Sequence, residues 1–417
     1  MVKVLKDKEL IEKFLTRGVE AIYPTKDELR QKLMSGERLR IYQGFDPSGP
    51  FLHIGHAMGI RALRILQQLG HEVIFLIGDY TARVGDPDKE TGRKILTDEI
   101  IEKNRQGWKE QAAQIIDFEG DNPVLFKRNY EWLSKLTLND LIQLMSKSTV
   151  QQMIERDMFD RRIKAGDPVG LQEFIYPLMQ GYDGVAMQVD MEIGGTDQTF
   201  NMLMGRHLVK EYLGKEKFVR TNILMDAPDG RTMSKTKGNG INLSDSSEDM
   251  YGKAMSYSDS LITKGFKLLT EIPITDIEEM DKAMEKGSNP MEFKKQLAYE
   301  IVKILRSEKD AKSAQEHFEK TVQSKDGDVV TEIKKAIETG EEQSLAKVET
   351  NLHGKMSVLE FAKKAYDGKF SSAEIKRLIE QGGVEVDGNK ISNTNQEIDF
   401  IKGTVIKIGK RDYTVIA

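Results

Sequence analysis

The sequence predicts a doubly wound parallel α/β domain carrying a helical insertion, followed by an α-helical domain and a small α+β domain. Three observations point there. Residues 39–78 read strand, helix, strand in one short stretch, the pattern of a βαβ unit with its right-handed crossover. Strand character returns at Phe218–Met225 after a long helical run. From Ser244 onward the texture is amphipathic and helical, and it turns compact again near the end of the chain.

Taken in order, Leu39–Phe45 is apolar-rich and stops at the turn cluster Asp46-Pro47-Ser48-Gly49-Pro50, so it reads as a strand. Ile60, Leu63, Leu66 and Leu69 recur at helical spacing, and Gly70 is a helix stop. Glu72–Gly78 (EVIFLIG) is a nearly continuous apolar run, as a parallel strand buried on both faces requires. Residues from about 130 to 180 read as helical and form the insertion. The predicted boundaries are 1–243 for the α/β domain, 244–322 for the helical domain, 323–353 for a polar linker and 354–417 for the last domain. In that last domain AEIKRLIEQG is a short helix, and VEVDGNKI is a hairpin turning at Asp387-Gly388.

Composition narrows the function classes. The chain has 417 residues, 39% of them hydrophobic, and a net charge of −5 from 62 basic and 67 acidic side chains. It contains no cysteine and six histidines, which removes disulfides, thiolate-ligated clusters and thiolate zinc sites. The first residues lack the apolar core of a signal peptide, and no apolar run approaches the ~20 residues of a membrane span. A cytoplasmic protein without a membrane association is expected.

Two segments carry the chemistry. In the first, a strand ends in a Gly/Pro turn, and a helix begins at His53-Ile54-Gly55-His56. A helix N-terminus exposes unpaired N–H groups and the positive end of the dipole, two imidazoles can donate to phosphate oxygens, and Gly55 allows close backbone approach. In the second, Gly230-Arg231-Thr232-Met233-Ser234-Lys235-Thr236-Lys237-Gly238, a lysine among small hydroxyl residues and glycines suits a loop that closes over a polyphosphate. Each alone has a bland reading, a packed histidine pair or a solvated loop. Together they are the two halves of one nucleotide site.

HIGH followed by an MSK-type loop resembles the paired signature of class I aminoacyl-tRNA synthetases. Tyr176-Pro177-Leu178-Met179-Gln180-Gly181-Tyr182-Asp183, Gly194-Gly195-Thr196-Asp197-Gln198 and Gly85-Asp86-Pro87 narrow the resemblance to the bacterial tyrosyl-tRNA synthetases, end to end. The segment SSAEIKRLIEQGGVEVDG resembles an RNA-binding module of the ribosomal protein S-four type. The resemblance implies a Rossmann-like first domain of the HIGH superfamily and an anticodon-side role for the helical domain. It also implies a homodimer formed through the insertion, with Leu138–Met145 and Met153–Phe159 supplying an apolar face. The chain departs from the family at Thr232, where a basic residue is usual, and at Asp88-Lys89-Glu90 after Gly85-Asp86-Pro87.

By that resemblance the substrates are ATP with Mg²⁺, L-tyrosine and tRNA(Tyr), with no tightly bound cofactor and no protein metal site. His53, His56 and Lys235 are the catalytic set, acting on the phosphates and the leaving pyrophosphate. Ser48, Gly55, Gly195, Asp197, Met233, Ser234 and Thr236 bind ATP, the ribose falling to Asp197 and Gly195. Tyr42 and Asp183 meet the tyrosine phenol, one as donor and one as acceptor. Asp86, Tyr176 and Gln180 hold its ammonium, and Asp46 and Gln198 its carboxylate end. Tyr176, Gln180 and Asp183 stand at i, i+4 and i+7, one stripe of a helix. Lys376 and Arg377 are the RNA-binding candidates. A carboxylate nucleophile is ionised at neutral pH, so activation needs no general base, only positioning and charge stabilisation. Tryptophanyl-tRNA synthetase is the rival within the class, and Tyr42 with Asp183 speaks against it. A non-catalytic RNA-binding derivative is the alternative outside it, and the intact His53, His56 and Lys235 speak against that.

Overall fold

The computed structural model describes residues 2–86, 96–228, 240–323, 348–350, 352, 354–365, 372–409 and 412–416. These divide into two compact units, residues 1–308 and 309–417.

The first unit is built on a six-stranded sheet. Its strands are β1 (Val19–Tyr23), β2 (Arg40–Phe45), β3 (Glu72–Ile77), β4 (Leu125–Arg128), β5 (Met191–Gly195) and β6 (Phe218–Asn222). They lie in the order β1-β6-β5-β2-β3-β4. All neighbours from β6 to β4 are parallel, and β1 joins β6 antiparallel at the edge. The doubly wound parallel reading therefore describes five of the six strands. The antiparallel β1, together with β4 and β5, goes beyond what the sequence pattern showed. β1 is a half-buried edge strand without alternation, and β4 (LFKR) is four residues with two charges. β5 (MEIGG) ends in two glycines and contains a buried glutamate.

Helices start and stop where local chemistry dictates. The Asp7 side chain accepts from the Leu10 N–H to begin α1 (Lys8–Thr16), and Thr25 does the same for α2 (Lys26–Ser35). β2 leads into α3 (Ile54–Gln68), which returns to β3 through Gly70 at φ +87°. Short helices α4 (Thr81–Val84), α5 (Asp98–Arg105) and α6 (Trp108–Ala112) follow β3. The insertion consists of α7 (Tyr130–Leu133), α8 (Leu138–Met145), α9 (Val150–Ile154), α10 (Asp157–Ala165) and α11 (Tyr176–Ala186). After β5, α12 (Thr199–Leu213) lies directly on α11. A Cβ on Gly181 would stand 3.2 Å from the backbone of Gly205, so glycine on both helices lets the two backbones approach. Of the two segments expected to form an outer apolar face, only one does. Leu138, Ile142 and Met145 are exposed, whereas Met153, Met158 and Phe159 are buried in the chain's own core.

The helices α13 (Ser247–Met255), α14 (Ile262–Leu269), α15 (Ile274–Glu285) and α16 (Pro290–Leu305) complete the first unit. Two arginines fasten them to the sheet. Arg17 donates to the carbonyls of Phe266 (3.0 Å) and Ile272 (2.8 Å) at the end of α14, and Arg220 on β6 donates to Phe14 (3.0 Å) and Arg17 (2.9 Å) at the end of α1. Arg220 satisfies carbonyls left open at the C-terminus of α1 and meets the negative end of its dipole, while Arg17 reaches the last turn of α14 and the Ile272 carbonyl beyond it. Burial lowers the Arg220 pKa to about 9.

The second unit begins with α17 (Glu308–Phe318) and holds a five-stranded sheet, a two-stranded ladder and two helices, α18 (Val358–Ala365) and α19 (Ser372–Glu380). Phe361 and Phe400 stack at 4.3 Å in its core. The hairpin expected at Asp387-Gly388 is present between Val384–Val386 and Asn389–Ile391, with positive φ at both turn residues (50° and 81°), as a tight primed turn demands. Most of the predicted linker, 324–347, lies outside the described residues. No helix among the described residues is long and apolar enough to cross a membrane.

His71, directly after Gly70, carries a testable consequence. It is 1% exposed, and its Nδ1 accepts the Leu39 N–H at 3.2 Å, a bond that only the neutral ring can receive. Burial, reinforced by Arg38, lowers its pKa from 6.5 to about 4. The unfolded chain thus binds this proton near pH 6.5 and the folded chain only near pH 4, so the contribution present at neutral pH is lost as pH falls across that window. It amounts to about 3 kcal/mol. His71→Gln, which keeps an acceptor, should show a shallower fall in thermal midpoint between pH 7 and 4 than the parent. Parallel curves would refute this.

Candidate active site

From β2 the chain proceeds to β3 and β4 on one side, and from β5 to β6 on the other, so winding reverses where β2 and β5 lie side by side. The carboxyl ends of strands flanking such a reversal open a crevice, the usual ligand position in doubly wound sheets. Tyr42, Asp46, Gly195, Asp197 and Gln198 lie on or just beyond these two strands. His53, Gly55 and His56 stand at the start of the helix that follows β2.

That helix start is tightly organised. His53 is the N-cap of α3, and its backbone N–H donates to Nδ1 of His56 at 3.0 Å, with the two rings 3.8 Å apart. A neutral His56 that accepts at Nδ1 carries its proton on Nε2, so that nitrogen is a donor. A Cβ on Gly55 would press on the His53 ring at 3.0 Å. Ser48 folds back to Asp46, its N–H to the Asp46 carbonyl at 2.8 Å. Met233, Ser234, Lys235 and Thr236, with Thr232, lie outside the described residues, as does the Asp88-Lys89-Glu90 departure. The segment that follows that loop is described. Ile54 N–H bonds the Ile241 carbonyl and Leu243 N–H the Leu52 carbonyl, each at 2.8 Å, flanking a bridge between His53 and Asn242.

The other flank of the crevice is polar and buried. On α11, Tyr176 bonds Asp46 just after β2, Gln180 bonds Glu192 on β5 and Asp183 bonds Asn129 just after β4. Tyr176 donates to Asp46 Oδ2 at 2.8 Å, and Thr81 donates to Asp46 Oδ1 at 2.8 Å. Asp183 is 2% exposed and receives Trp132 Nε1 at 2.7 Å and Asn129 Nδ2 at 3.2 Å. Burial raises its pKa well above the carboxylate range; Trp132 and Asn129 oppose that rise, and the nearby Glu192 and Asp46 charges add to it. Tyr42 is fully buried, and burial together with Glu192 and Asp183 pushes its pKa well up. Its hydroxyl donates to the Gln180 backbone carbonyl at 3.5 Å, so donation to a substrate phenol requires it to turn from that carbonyl.

Asp86, expected in the ammonium-binding set, is already engaged by protein groups. Its carboxylate forms a buried ion pair with Arg156 at 2.7 Å and also receives the Gln198 side-chain amide. Gln198 Nε2 reaches Asp197 as well, at 3.2 Å, and its Oε1 accepts from Asn201 at 3.0 Å. Crowding by the protein raises the Asp197 pKa despite the Gln198 donor. A Cβ on Gly195 would collide with the Asp197 carboxylate and meet Leu224 at 2.8 Å.

Several residues that organise the crevice carried no sequence signal: Thr81, Asn129, Trp132, Arg156, Glu192, Asn201 and Lys217. Asn129 had the best chance of notice, as a polar residue ending a short strand, but β4 itself was illegible. In the second unit, Lys376 and Arg377 sit exposed on α19, which ends before Gly382 at φ +70°.

Comparison with known proteins follows the same lines. The model of the class I tRNA synthetases (W and Y) matches residues 34–323. A tyrosine–tRNA ligase of Thermotoga maritima is 40% identical over 404 residues, covering 96% of this chain and 96% of that one. One of Geobacter metallireducens is 39% identical over 408 residues, covering 96% and 97%. Among solved structures, a C-terminally truncated mitochondrial tyrosyl-tRNA synthetase of Aspergillus nidulans superposes with a TM-score of 0.62 at 24% identity, over 75% of this chain and 93% of that one, a likeness of fold. Because the likeness in sequence extends through both compact units and is not confined to this crevice, the chain belongs to the tyrosine–tRNA ligase family of the class I tRNA synthetases.

Proposed function

We propose that the protein activates L-tyrosine with ATP and transfers it to the 3′ end of tRNA(Tyr), and that the residues gathered at the β2–β5 crevice perform the first step. The observation that carries this reading is the buried carboxylate of Asp183. Its acceptor capacity is directed by Trp132 and Asn129, and it lies within electrostatic reach of the Tyr42 hydroxyl. A phenol placed there finds an acceptor, whereas a phenylalanine ring would leave a buried polar group unpaired, the stronger form of discrimination.

The chemistry is displacement at the α-phosphate by the amino-acid carboxylate, with pyrophosphate leaving. His53 and His56 bind the phosphates, His56 through the Nε2 proton that its Nδ1 contact fixes. Lys235 meets the pyrophosphate; the anchoring of Ile241–Leu243 to the histidine turn supports assigning both to one site. Mg²⁺ arrives with ATP as part of the substrate. Asp197, beside Gly195, accepts from the ribose hydroxyls. Tyr176 and Gln180 face the ammonium. Asp86 acts through Gln198, holding its amide, and Asp46 through Tyr176. The domain boundaries at 243/244 and 322/323, the anticodon-side role of the helical segment and a cytoplasmic location belong to the same proposal.

ATP–pyrophosphate exchange with tyrosine, phenylalanine and tryptophan tests the assignment: tyrosine alone should support it. Asp183→Ala should lower kcat/KM for tyrosine by ~10–100-fold, the cost of leaving the buried substrate hydroxyl without its partner, with little change in KM for ATP. Equal losses for both substrates would make Asp183 a structural residue only.

The exposed Leu138, Ile142 and Met145 of α8, with Val150 and Leu171 nearby in the chain, support a homodimer sealed by the insertion. Leu138→Glu with Ile142→Glu should convert a dimer to a monomer in sedimentation velocity. A sedimentation coefficient that matches the parent's dimer places the interface elsewhere. For RNA, Lys376→Glu with Arg377→Glu should raise KM for tRNA by roughly tenfold and lessen its salt dependence, leaving pyrophosphate exchange intact. Unchanged charging kinetics would remove α19 from the RNA surface.

A further inference from the structure

We infer that the buried pair Lys217–Glu192 is the positioning element of the amino-acid pocket: the Glu192 carboxylate fixes which way the Gln180 amide faces, so that its oxygen is presented to the substrate ammonium. This rests on the proposed role of Gln180 in tyrosine binding and adds two residues to it.

An amide side chain that receives an ammonium must offer its oxygen, and nothing in the shape of glutamine distinguishes the two ends. Here both ends are determined. Gln180 Nε2 donates to Glu192 Oε1 at 3.0 Å, and Asn201 Nδ2 donates to Gln180 Oε1 at 3.1 Å. An ionised carboxylate only accepts, so it rejects the flipped amide. The Asn201 contact uses one lone pair of the Gln180 oxygen and leaves the other for a ligand.

Glu192 is 2% exposed, and its other oxygen is taken by the Lys217 ammonium, itself fully buried. The fold makes room for that ammonium. A Cβ on Gly205 of α12 would strike it, and one on Gly184 of α11 would approach it at 3.5 Å. The ammonium also stands 5.6 Å from the centroid of the Tyr42 ring. Pairs of this kind contribute little net stability, and well-packed apolar replacements often do as well. What the pair adds lies next to the ligand: a fixed carboxylate that orders Gln180 and stands near the Tyr42 hydroxyl.

The test uses the full chain with two variants, Glu192→Gln, and Lys217→Met combined with Glu192→Leu so that no buried charge is orphaned. Pyrophosphate exchange should show KM for tyrosine raised about tenfold or more in both, with KM for ATP within about twofold of the parent. The ligand 3-(4-hydroxyphenyl)propionate, which keeps the phenol and the carboxylate but lacks the amine, separates orientation of Gln180 from general damage. Its inhibition constant should be nearly unchanged in Glu192→Gln, while that of tyramine, which keeps the amine, should rise with the tyrosine KM. A tyrosine KM equal to the parent's, or equal losses for the amine-bearing and amine-free ligands, overturns the inference. A parent protein that fails to exchange with tyrosine overturns the functional reading instead.

Discussion

The site depends on a single constraint, the parallel pairing of β2 with β5. Ile41 and Tyr42 lie in register with Met191 and Glu192, which brings together segments about 150 residues apart in sequence. Because the chain winds away from this seam in both directions, the carboxyl ends of the two strands are the place where a doubly wound sheet takes its ligand. The histidine turn follows one strand and the Gly194-Gly195-Thr196-Asp197 turn follows the other. Among the described residues of the first unit, those assigned to ligand binding are placed by what leaves these strand ends or leans over them.

Such a seam has to accommodate charge in a place that water hardly reaches. Asp46 and Glu192 lie close enough to Asp183 for their charges to raise its pKa further. Each is accommodated by a different device. Asp46 takes two hydroxyl donors, Asp183 takes an indole and an amide, and Glu192 takes an ammonium and an amide. Leaving any of these acceptors unsatisfied would cost more than forming its bonds gains, so the donors are as necessary as the acids. This is why the crevice draws on β3, β4, α11, α12 and the residue before β6, and why it is rigid where specificity is needed.

Legibility in the sequence divided along physical lines. β2, α3, β3 and the Asp387-Gly388 hairpin were readable because their signals are local: continuous apolar runs, helical spacing, a glycine stop, a turn dipeptide. The stripe Tyr176, Gln180 and Asp183 was readable for the same reason, since a helix fixes its own faces. β5 was not, because a buried glutamate and two glycines erase its apolar pattern, and the lysine that makes the glutamate tolerable lies 25 positions on. Asn129 and Trp132 were invisible as partners of Asp183 across 54 and 51 positions. Resemblance supplied Asp86 and Gln198, but not that each holds the other and that Arg156 holds Asp86. Met153–Phe159 misled because helical spacing of apolar residues is the same for a core face and an interface.

The two flanks of the crevice carry opposite fields, and this bears on how two substrates are aligned. On one flank a helix N-terminus and two imidazoles favour anionic oxygens. On the other, the carboxylate oxygens of buried Glu192 and half-buried Asp46, with one ammonium, Lys217, beside them, favour a cation. Under the proposed roles, a zwitterion entering this gradient lowers its energy by turning its ammonium toward Gln180 and Tyr176 and its carboxylate toward the histidines. That is also the direction in which the carboxylate must point to reach a phosphorus atom. Alignment of this kind is established before any bond changes and needs no motion at the moment of reaction, which is where preorganised charge is most effective. The same gradient disfavours a reversed amino acid twice, once at each end, so orientation and side-chain selection are enforced by separate groups.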